Sequence, residues 1–193
     1  MAHKMDFANR DRLRDSWRRE HLDPATLWRR AGLASGSIAV DVGAGIGYFS
    51  VPAADLVGPT GKVYAADILP EMLADLRAFL PAAHAARLET VNSTEYSVPL
   101  ADQIADVVLL SFVAHEVDDP ARLIQECSRL LKPGGHLLVL DWDPGVEPPP
   151  GPPTEHRLAE EALVSALTTA SLSVDARRPA APGVYEVLAT RRP

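Results

Sequence analysis

The stretch Val40–Ser50, which reads VDVGAGIGYFS, decides the fold of this chain. It begins inside a short apolar run, Ile38–Val42, which is typical of a buried strand. Gly43, Gly45 and Gly47 follow at alternate positions, and glycine lets a backbone turn tightly and approach a ligand closely. Apolar residues at helical spacing come next. This order of strand, glycine loop and helix favours a ligand-binding loop over a plain packing turn.

The rest of the chain continues the alternation of strand and helix patterns. We expect Pro52 to bend the helix that follows the glycine loop. Three further helices are predicted over about 70–80, 120–132 and 154–171. Five alternations imply a parallel sheet with helices on both faces. We therefore predict an α/β fold, a Rossmann-like doubly wound sheet of about seven strands, mostly parallel, with an antiparallel C-terminal strand. The predicted strands cover residues 38–42, 63–66, 88–91, 106–111, 136–140, 172–177 and 184–190.

Length and composition bound the domain organisation. The chain has 193 residues, of which 47% are hydrophobic and 23% are charged, and these values are ordinary for one folded domain. We divide it into an N-terminal helical arm, residues 1–37, and a single domain over residues 38–193. The arm is rich in arginine. Two explanations stay open: a solvated amphipathic face, or a lid that binds an anionic group of a substrate.

Charge and cysteine content exclude several classes of protein. The net charge of -7 argues against a nucleic-acid partner. The single cysteine, Cys127, makes neither an internal disulfide nor a multi-cysteine metal site. The longest apolar stretch, Val107–Ala114, is too short for a membrane span, and the N-terminus lacks the apolar core of a signal peptide. These features predict a cytoplasmic protein with no membrane span.

Polar residues follow the predicted strands, and in parallel sheets ligands bind at that edge. Asp67 follows the second strand, 20 residues after Gly47, where a carboxylate can accept both hydroxyls of a ribose. An alternative role for Asp67 is to cap the helix that starts at Pro70. Asn92–Glu95 follows the third strand. This segment either holds the polar edge of an adenine or is a plain polar loop.

Two further clusters end the fourth and fifth strands. His115 and Glu116 follow the fourth strand, and Asp141 and Trp142 end the fifth. Histidine titrates near neutral pH, which makes His115 the candidate general base, with Glu116 as a second candidate. The plainer alternative is that His115 caps its segment or packs in a wall. We expect no metal, because no recognised ligand spacing links His115, Glu116 and Asp141.

Four stretches, taken together and in order, resemble the class I S-adenosylmethionine-dependent methyltransferases. They are VDVGAGIGYFS (40–50), VYAADI (63–68), VPLADQIADVVLLSFVAHEV (98–117) and LLKPGGHLLVLDW (130–142). The resemblance covers about residue 25 to the end. Within the family the chain is most similar to a small bacterial and archaeal subgroup. That subgroup shares the initial MAHK, a His-Glu pair after the fourth strand and a fifth strand that ends in Asp-Trp.

The resemblance implies that residues at the strand ends bind S-adenosylmethionine. Asp41 resembles the acidic residue that reaches the methionine amino group, and Asp67 matches the ribose ligand. Thr94 stands where many relatives have Asp or Asn against the adenine amino group, so Ser93 or Glu95 is the alternative contact. The implied cofactor-binding set is Asp41, Gly43, Gly45, Gly47, Asp67, Ile68, Ser93, Thr94, Glu95, Ser111 and Phe112.

The resemblance further implies methyl transfer to a small-molecule acceptor, with S-adenosylhomocysteine as the product, by a monomer or homodimer. We expect the acceptor pocket over strands four and five, lined by His115, Glu116 and Trp142 and covered by the arm and the proline-rich loop 144–153. Oxygen, nitrogen and carbon acceptors are not distinguished. Two rivals stay open: an NAD(P)-dependent oxidoreductase, which also needs a glycine loop and a carboxylate, and a non-catalytic S-adenosylmethionine-binding module.

Overall fold

A computed structural model gives the fold, and it describes residue 10, residues 13–146 and residues 151–193. The helices are α1 (Ser16–His21), α2 (Pro24–Arg30), α3 (Ser50–Leu56), α4 (Pro70–Phe79), α5 (Pro120–Leu130) and α6 (Glu160–Thr169). The strands are β1 (Ile38–Val42), β2 (Lys62–Asp67), β3 (Leu88–Asn92), β4 (Ala105–Ser111), β5 (Leu131–Trp142), β6 (Leu172–Ala181) and β7 (Val184–Arg191). The initial MAHK and residues 147–150 of the proline-rich loop, both used in the sequence analysis, lie outside the described residues.

The seven strands form one sheet in the order β3-β2-β1-β4-β5-β7-β6. β1 pairs in parallel with β2 and β4, and β7 runs antiparallel to both β5 and β6. The predicted fold class is therefore confirmed, including the single antiparallel strand near the C-terminus. Strand order reverses between β1 and β4, and the carboxyl ends of these strands border the crevice in which such sheets bind ligands.

The core lies on both faces of the sheet. Along β4, Val108 and Leu110 belong to the cluster packed with α5 and α6, whereas Val107 and Leu109 belong to the cluster packed with α2 and α3. All four side chains are at most 1% exposed. Successive side chains of a strand point to opposite faces. This is why β4 appears in the sequence as an uninterrupted apolar run.

Short helices form the described part of the arm and pack on the domain. Asp23 caps α2 by accepting a hydrogen bond from the Ala25 N–H, and Pro24 occupies the first helical position, as predicted. The buried Trp28 indole donates to the Phe49 carbonyl over 3.0 Å. Arg30 pairs with the buried Glu186 of β7 at 2.5 Å. The arm is thus joined to the glycine-loop side and to the sheet.

Several element boundaries differ from the predicted ones. Helix α3 begins at Ser50, so Pro52 lies in the first turn, where a missing N–H costs no helical hydrogen bond and no bend is needed. The predicted helix 154–171 is instead a 3₁₀ turn at Thr154–His156 followed by α6. Between them the Tyr185 hydroxyl donates to the Leu158 carbonyl. This tertiary hydrogen bond engages backbone that a continuous helix would need.

Strand β5 is also longer than predicted. It begins at Leu131, which pairs with Ala105, and the ladder shifts register before it resumes at His136. Helix α5 already ends at Leu130, so the prediction that Pro-Gly-Gly ends it near Lys132 is wrong, and the Pro-Gly-Gly segment lies within β5. The connection from β3 to β4 contains no α-helix among its residues, all of which the structure describes. The strict alternation inferred from sequence is wrong at that one crossover.

Packing restricts the side chain at Gly47 in the loop after β1, as it does at Gly43, where an added Cβ would lie 2.2 Å from Cγ2 of Val113. Gly47 has a φ of +87°, and a Cβ there would lie 2.3 Å from Cδ1 of Leu76 on α4. Leu76 is 1% exposed and has little room to move. Gly134, in the β5 register shift, has a φ of +78° with nothing within 4 Å of an added Cβ. Gly47 and Gly134 both have a left-handed backbone that would strain an alanine, but of these two only Gly47 also meets a packing neighbour.

We expect Gly47→Ala to lower the free energy of unfolding more than Gly134→Ala does. Left-handed backbone costs an alanine roughly 1–2 kcal/mol at either position. Crowding against Leu76 adds about 1–3 kcal/mol at position 47 alone. Urea denaturation of both variants, followed by circular dichroism, measures the difference. Equal losses would show that Leu76 moves aside freely and that packing does not require glycine there.

Candidate active site

A cavity of about 430 Å³ lies at the carboxyl ends of β1, β2, β4 and β5. Nine of the eleven residues assigned to the cofactor from sequence line it: Gly43, Gly45, Asp67, Ile68, Ser93, Thr94, Glu95, Ser111 and Phe112. Asp41 and Gly47 are not among its lining residues. Gly47 instead packs against α4, and Asp41 is buried behind the loop with 1% of its surface exposed.

The glycine loop is fastened to the end of β2 by three successive N–H groups. Those of Gly43 and Ala44 donate to the Ala66 carbonyl over 2.8 and 2.9 Å. That of Gly45 donates to Oδ2 of Asp67 over 2.7 Å. Three donors in sequence leave the loop little freedom. The loop backbone is therefore held beside the cavity, ready for a ligand to approach it.

Asp67 accepts two backbone hydrogen bonds and still faces the cavity. Besides Gly45, the Leu69 N–H donates to its Oδ1 over 2.9 Å. The N-cap of α4 is Leu69, so the capping alternative considered for Asp67 is wrong. Burial raises the pKa of Asp67, and the Leu69 and Gly45 N–H groups offset only part of that rise. A carboxylate has about four acceptor sites, so two remain for ligand hydroxyls.

Asp41 is a buried carboxyl with one oxygen unsatisfied. The Ser50 hydroxyl donates to its Oδ2 over 2.5 Å, whereas Oδ1 has no hydrogen-bond partner within the described residues. Burial raises the pKa of Asp41 to about 7, with the Ser50 hydrogen bond opposing the rise and the charge of Asp67 adding to it. Near neutral pH this group therefore exchanges a proton beneath the glycine loop.

The segment after β3 lies at the other side of the cavity. The Ser93 N–H donates to the Asp67 carbonyl over 2.9 Å, which ties this segment to β2. Thr94 closes a tight turn, since its N–H donates to the Ser97 carbonyl over 2.9 Å. The Thr94 hydroxyl lies 3.4 Å from the same carbonyl. Ser93, Thr94 and Glu95 all line the cavity, and Thr94 is the one engaged in its own turn.

Phe112 adopts strained backbone at the end of β4. Its φ is +58°, which is unusual for a bulky residue, and such outliers cluster at ligand sites. The Phe112 N–H donates to the Leu140 carbonyl over 2.8 Å, which holds the turn in place. Its ring packs against Trp142 with centroids 4.8 Å apart, and the Arg18 guanidinium lies 4.6 Å from its centroid. An aromatic wall therefore joins the ends of β4 and β5.

His115 and Asp141 form a close pair at these same strand ends. His115 belongs to a 3₁₀ turn, Ala114–Glu116, and its Nδ1 lies 2.6 Å from Oδ1 of Asp141. Its Nε2 lies 3.9 Å from Oε1 of Glu116. The turn thus places Glu116 alongside the imidazole, and both residues line the cavity. Sequence analysis predicted that His115 and Glu116 lie at the same edge of the sheet as Asp141 and Trp142. It did not predict the pair of His115 with Asp141.

The arm and the proline-rich loop both reach the cavity. Leu13 and Arg18 line it, and the Trp17 indole packs on Trp142 with centroids 5.4 Å apart. The Tyr48 hydroxyl lies 2.9 Å from the Arg18 carbonyl, to which it donates. The arm therefore has direct contacts with both strands that carry the His115–Asp141 pair.

The described ends of the loop 144–153 also approach the cavity next to Trp142. Gly151 and Pro152 line the cavity, and an added Cβ at Gly151 would lie 3.2 Å from the Trp142 indole. Arg157 donates to the carbonyls of Pro152 and Asp143, both over 3.0 Å. Sequence reasoning expected these covers, but it missed Arg18 and Tyr48 as lining residues. Neither stands at a strand end, so no pattern in the sequence marks them.

Comparison with known proteins decides which family these residues belong to. Residues 40–139 match the family model described as a methyltransferase domain. The chain belongs to that family. As the sequence resemblance predicted, it is a class I S-adenosylmethionine-dependent methyltransferase by fold and sequence.

Its relatives fall into curated sequences and solved structures. The ubiquinone/menaquinone biosynthesis C-methyltransferase UbiE of Hahella chejuensis is 33% identical over 128 residues, covering 63% of this chain and 51% of that protein. The chain thus spans about half the length of the curated relatives that it matches. A methyltransferase structure from Aquifex aeolicus is 29% identical, with a TM-score of 0.90 over 97% of this chain and 100% of that one.

The same fold also carries a different named activity. The [4+2]-cyclase SpnF is 18% identical, with a TM-score of 0.74 over 88% of this chain and 79% of that one. The likeness is one of fold alone, and fold does not determine function. For the methyltransferase chain, the reaction therefore has to be argued from its site residues.

Among residue 10, residues 13–146 and residues 151–193, no helix is long and apolar enough to cross a membrane. In the same ranges, no group of three or more His, Cys, Asp or Glu side chains is arranged to hold a metal ion.

Asp41 generates a prediction about stability and pH. Between the unfolded pKa, roughly 4, and its folded pKa of about 7, the folded chain holds a proton that the unfolded chain has lost. Its contribution to stability therefore falls as pH rises through that window. Asp41→Asn keeps a Ser50 acceptor without the charge. The free energy of unfolding of Asp41→Asn, taken relative to that of the parent chain, should rise by on the order of 1–3 kcal/mol between about pH 5 and about pH 8.

Urea denaturation at both pH values, without added cofactor, measures this gain. Asp106→Asn is the control, because Asp106 is a partly exposed carboxylate at the opposite end of the sheet, where it accepts from the Ile38 N–H and from Lys132. A gain for Asp41→Asn that stays constant or shrinks as pH rises would mean that Asp41 is already ionised in the folded chain below neutral pH.

Proposed function

We propose that this protein transfers a methyl group from S-adenosylmethionine to a small-molecule acceptor. The observation that carries the proposal is the Asp67 carboxylate, which faces the cavity while it anchors the glycine loop. S-adenosylmethionine supplies a sulfonium methyl group, which is an activated electrophile. Transfer of that group needs alignment of donor and acceptor above all, and a rigid loop beside an enclosed cavity provides alignment.

The residues around the cavity fit this cofactor along its whole length. Asp67 has acceptor sites left for two ribose hydroxyls. Ser93 is the better candidate for the adenine contact, since Thr94 is engaged with Ser97 and the Glu95 carboxylate interacts with Tyr96. Ser111 and Phe112 border the β4 side, where the methionine part would lie. Asp41, behind the loop, reaches a bound amino group only through the loop or a water molecule.

The acceptor would lie over the ends of β4 and β5. His115, Glu116 and Trp142 line this side, and the cavity lining also includes Leu13 and Arg18 of the arm and Gly151 and Pro152 at the described end of the proline-rich loop. The whole cavity, at about 430 Å³, is near the lower end of the range for ligand pockets. Cofactor and acceptor have to share that space, which supports a small molecule as the acceptor. This region also contains Trp142 and Phe112, an apolar wall suited to a flat molecule.

Two measurements test the proposal. Thermal stabilisation by S-adenosylhomocysteine, compared with NAD, distinguishes the methyltransferase from an oxidoreductase, because a ligand that binds the folded state stabilises it. Incubation with a metabolite extract and methyl-labelled S-adenosylmethionine, followed by mass spectrometry, then identifies the acceptor. Stabilisation without any labelled product would support the non-catalytic binding module, and stabilisation by NAD alone would overturn the proposal.

Asp67→Asn should weaken S-adenosylhomocysteine binding by about 1–3 kcal/mol, through loss of the charge that strengthens hydrogen bonds to the ribose. The amide oxygen can still accept from Gly45 and hold the glycine loop, with the amide nitrogen on the side of the Leu69 N–H, which loses its acceptor. Isothermal calorimetry measures the affinity, and Asp106→Asn at the far end of the sheet is the control. Equal affinity in the two variants would refute the ribose role of Asp67.

Deletion of residues 1–20 should reduce methyl transfer far more than cofactor affinity. The deletion removes Leu13, Trp17 and Arg18, which line the cavity or pack on Trp142 over the acceptor side. Labelled product formed in the extract measures transfer, and calorimetry with S-adenosylhomocysteine measures affinity. Equal losses in both would show that the arm supports the cofactor site or the fold rather than the acceptor.

A further inference from the structure

Asp141 is a fully buried carboxylate that serves His115. It has 0% exposure and accepts three hydrogen bonds. The donors are the His115 N–H over 3.1 Å, the His115 Nδ1–H over 2.6 Å and the Trp142 N–H over 2.8 Å. Two of the three come from His115, one from its backbone and one from its ring. The carboxylate therefore fixes both the position of the residue and the direction of its imidazole.

The fold itself does not need a carboxylate at this position. Burying a charged group is costly unless its partners compensate, and an apolar residue often serves the core as well. The preceding β5 residues Leu137–Leu140 are all apolar and 0% exposed. Asp141 breaks that run exactly where the strand reaches the cavity. Its partners are the imidazole and backbone of His115 and the backbone of Trp142, which points to a role in the site.

The pair determines which ring nitrogen of His115 faces a ligand. A carboxylate only accepts hydrogen bonds, so Nδ1 carries the proton in the neutral imidazole. Nε2 is then the nitrogen with a lone pair, and His115 lines the cavity. Its chemistry is that of a base held in one tautomer and one orientation.

The charges around His115 favour the protonated ring that a base forms. Burial lowers the pKa of His115, but the charge and hydrogen bond of Asp141 and the charge of Glu116 outweigh it, so that the pKa is raised. Arg157 opposes the rise. Tyr185 of β7 stays neutral, since burial and the charge of Asp141 raise its pKa. The balance of facing groups stabilises an imidazolium.

We propose that Nε2 of His115 takes a proton from the methyl acceptor, that Asp141 is its positioning residue, and that the acceptor is a hydroxyl or carbon acid. This inference rests on the proposed methyl transfer and adds the class of acceptor to it. A hydroxyl or a carbon acid becomes a strong nucleophile only as it loses its proton, whereas a neutral amine or a thiolate attacks with a lone pair that it already has and needs no base for that step.

The step balances with the groups named. An electron pair on the acceptor oxygen or carbon forms the new bond to the methyl carbon. The carbon–sulfur bond breaks, and its electron pair stays on sulfur, which converts the sulfonium into neutral S-adenosylhomocysteine. The acceptor proton moves to Nε2 and gives an imidazolium beside Asp141. The positive charge thus passes from sulfonium to imidazolium, and the proton leaves to water after product release.

The first test needs no acceptor. Long-range ¹H–¹⁵N NMR of the full chain with S-adenosylhomocysteine reports which imidazole nitrogen carries the proton. Above its pKa, His115 should be protonated on Nδ1. His84 is the internal control, because its Nε2, not its Nδ1, lies 2.6 Å from Oδ1 of Asp55, and it should show the opposite tautomer. His115→Gln identifies the signal. Protonation of His115 on Nε2 would overturn the proposal.

The second test separates positioning from structure. Asp141→Asn should lower the pKa of His115 in the same NMR titration, whereas Asp143→Asn, two residues further on, should leave it unchanged. With the acceptor found by labelling, His115→Gln should slow methyl transfer by ~10²–10⁴. Asp141→Asn should slow it at least ~10-fold and move the rise of rate with pH to lower pH.

The outcomes distinguish this inference from the function on which it rests. If the parent chain fails to bind S-adenosylhomocysteine, the proposed function fails and the base with it. Only the base pair is overturned if both variants still bind S-adenosylhomocysteine and three results match the parent chain. These are the rate of methyl transfer in both variants, and the pKa of His115 and the pH profile in Asp141→Asn. Should Asp141→Asn not fold, the tautomer of His115 in the parent chain decides.

Discussion

The hydrogen bonds that fasten the glycine loop to the end of β2 constrain most of the candidate site. Gly43, Ala44 and Gly45 donate in succession to the Ala66 carbonyl and the Asp67 carboxylate, so loop and strand end move as one body. Parallel pairing of β1 with β2 supplies the register that makes this possible. A second neighbour, β4, brings Ser111 and Phe112 to the same edge. The sheet thus provides a rigid base on which ligand contacts converge.

The acceptor side is built differently, from side chains rather than from backbone. Phe112 is held with a positive φ, its ring packs on Trp142, and Arg18 of the arm lies over it. Asp141 then orients His115 from the adjacent strand. Strained backbone and a buried carboxylate both carry a cost in stability, and the two meet at the adjacent ends of β4 and β5, where the Phe112 N–H donates to the Leu140 carbonyl. Such costs concentrate where a site needs a fixed geometry.

The sequence predicts the elements whose signals are local. The apolar run of β4, the glycine loop and the position of Asp67 follow from periodicity and spacing, and the structure has them where expected. Predicted element boundaries are wrong where a contact with a distant residue determines them. The predicted helix 154–171 is interrupted near Leu158, whose carbonyl accepts a hydrogen bond from Tyr185. The packing of Gly47 against Leu76 could not be predicted from sequence for the same reason, since the contact joins two elements that are distant in the chain. The His115–Asp141 pair needs the β4–β5 register, which no pattern within either strand contains.

The proposed placement of S-adenosylmethionine puts its ribose on Asp67 and its sulfur toward His115 within this cavity. A crystal structure of the full chain with S-adenosylhomocysteine would show where the cofactor binds. We expect both ribose hydroxyls within hydrogen-bond distance of the Asp67 carboxylate, adenine beside Ser93–Glu95, and sulfur on the side of the cavity that His115 lines. A cofactor bound with its adenine toward His115, or outside this cavity, would contradict this placement.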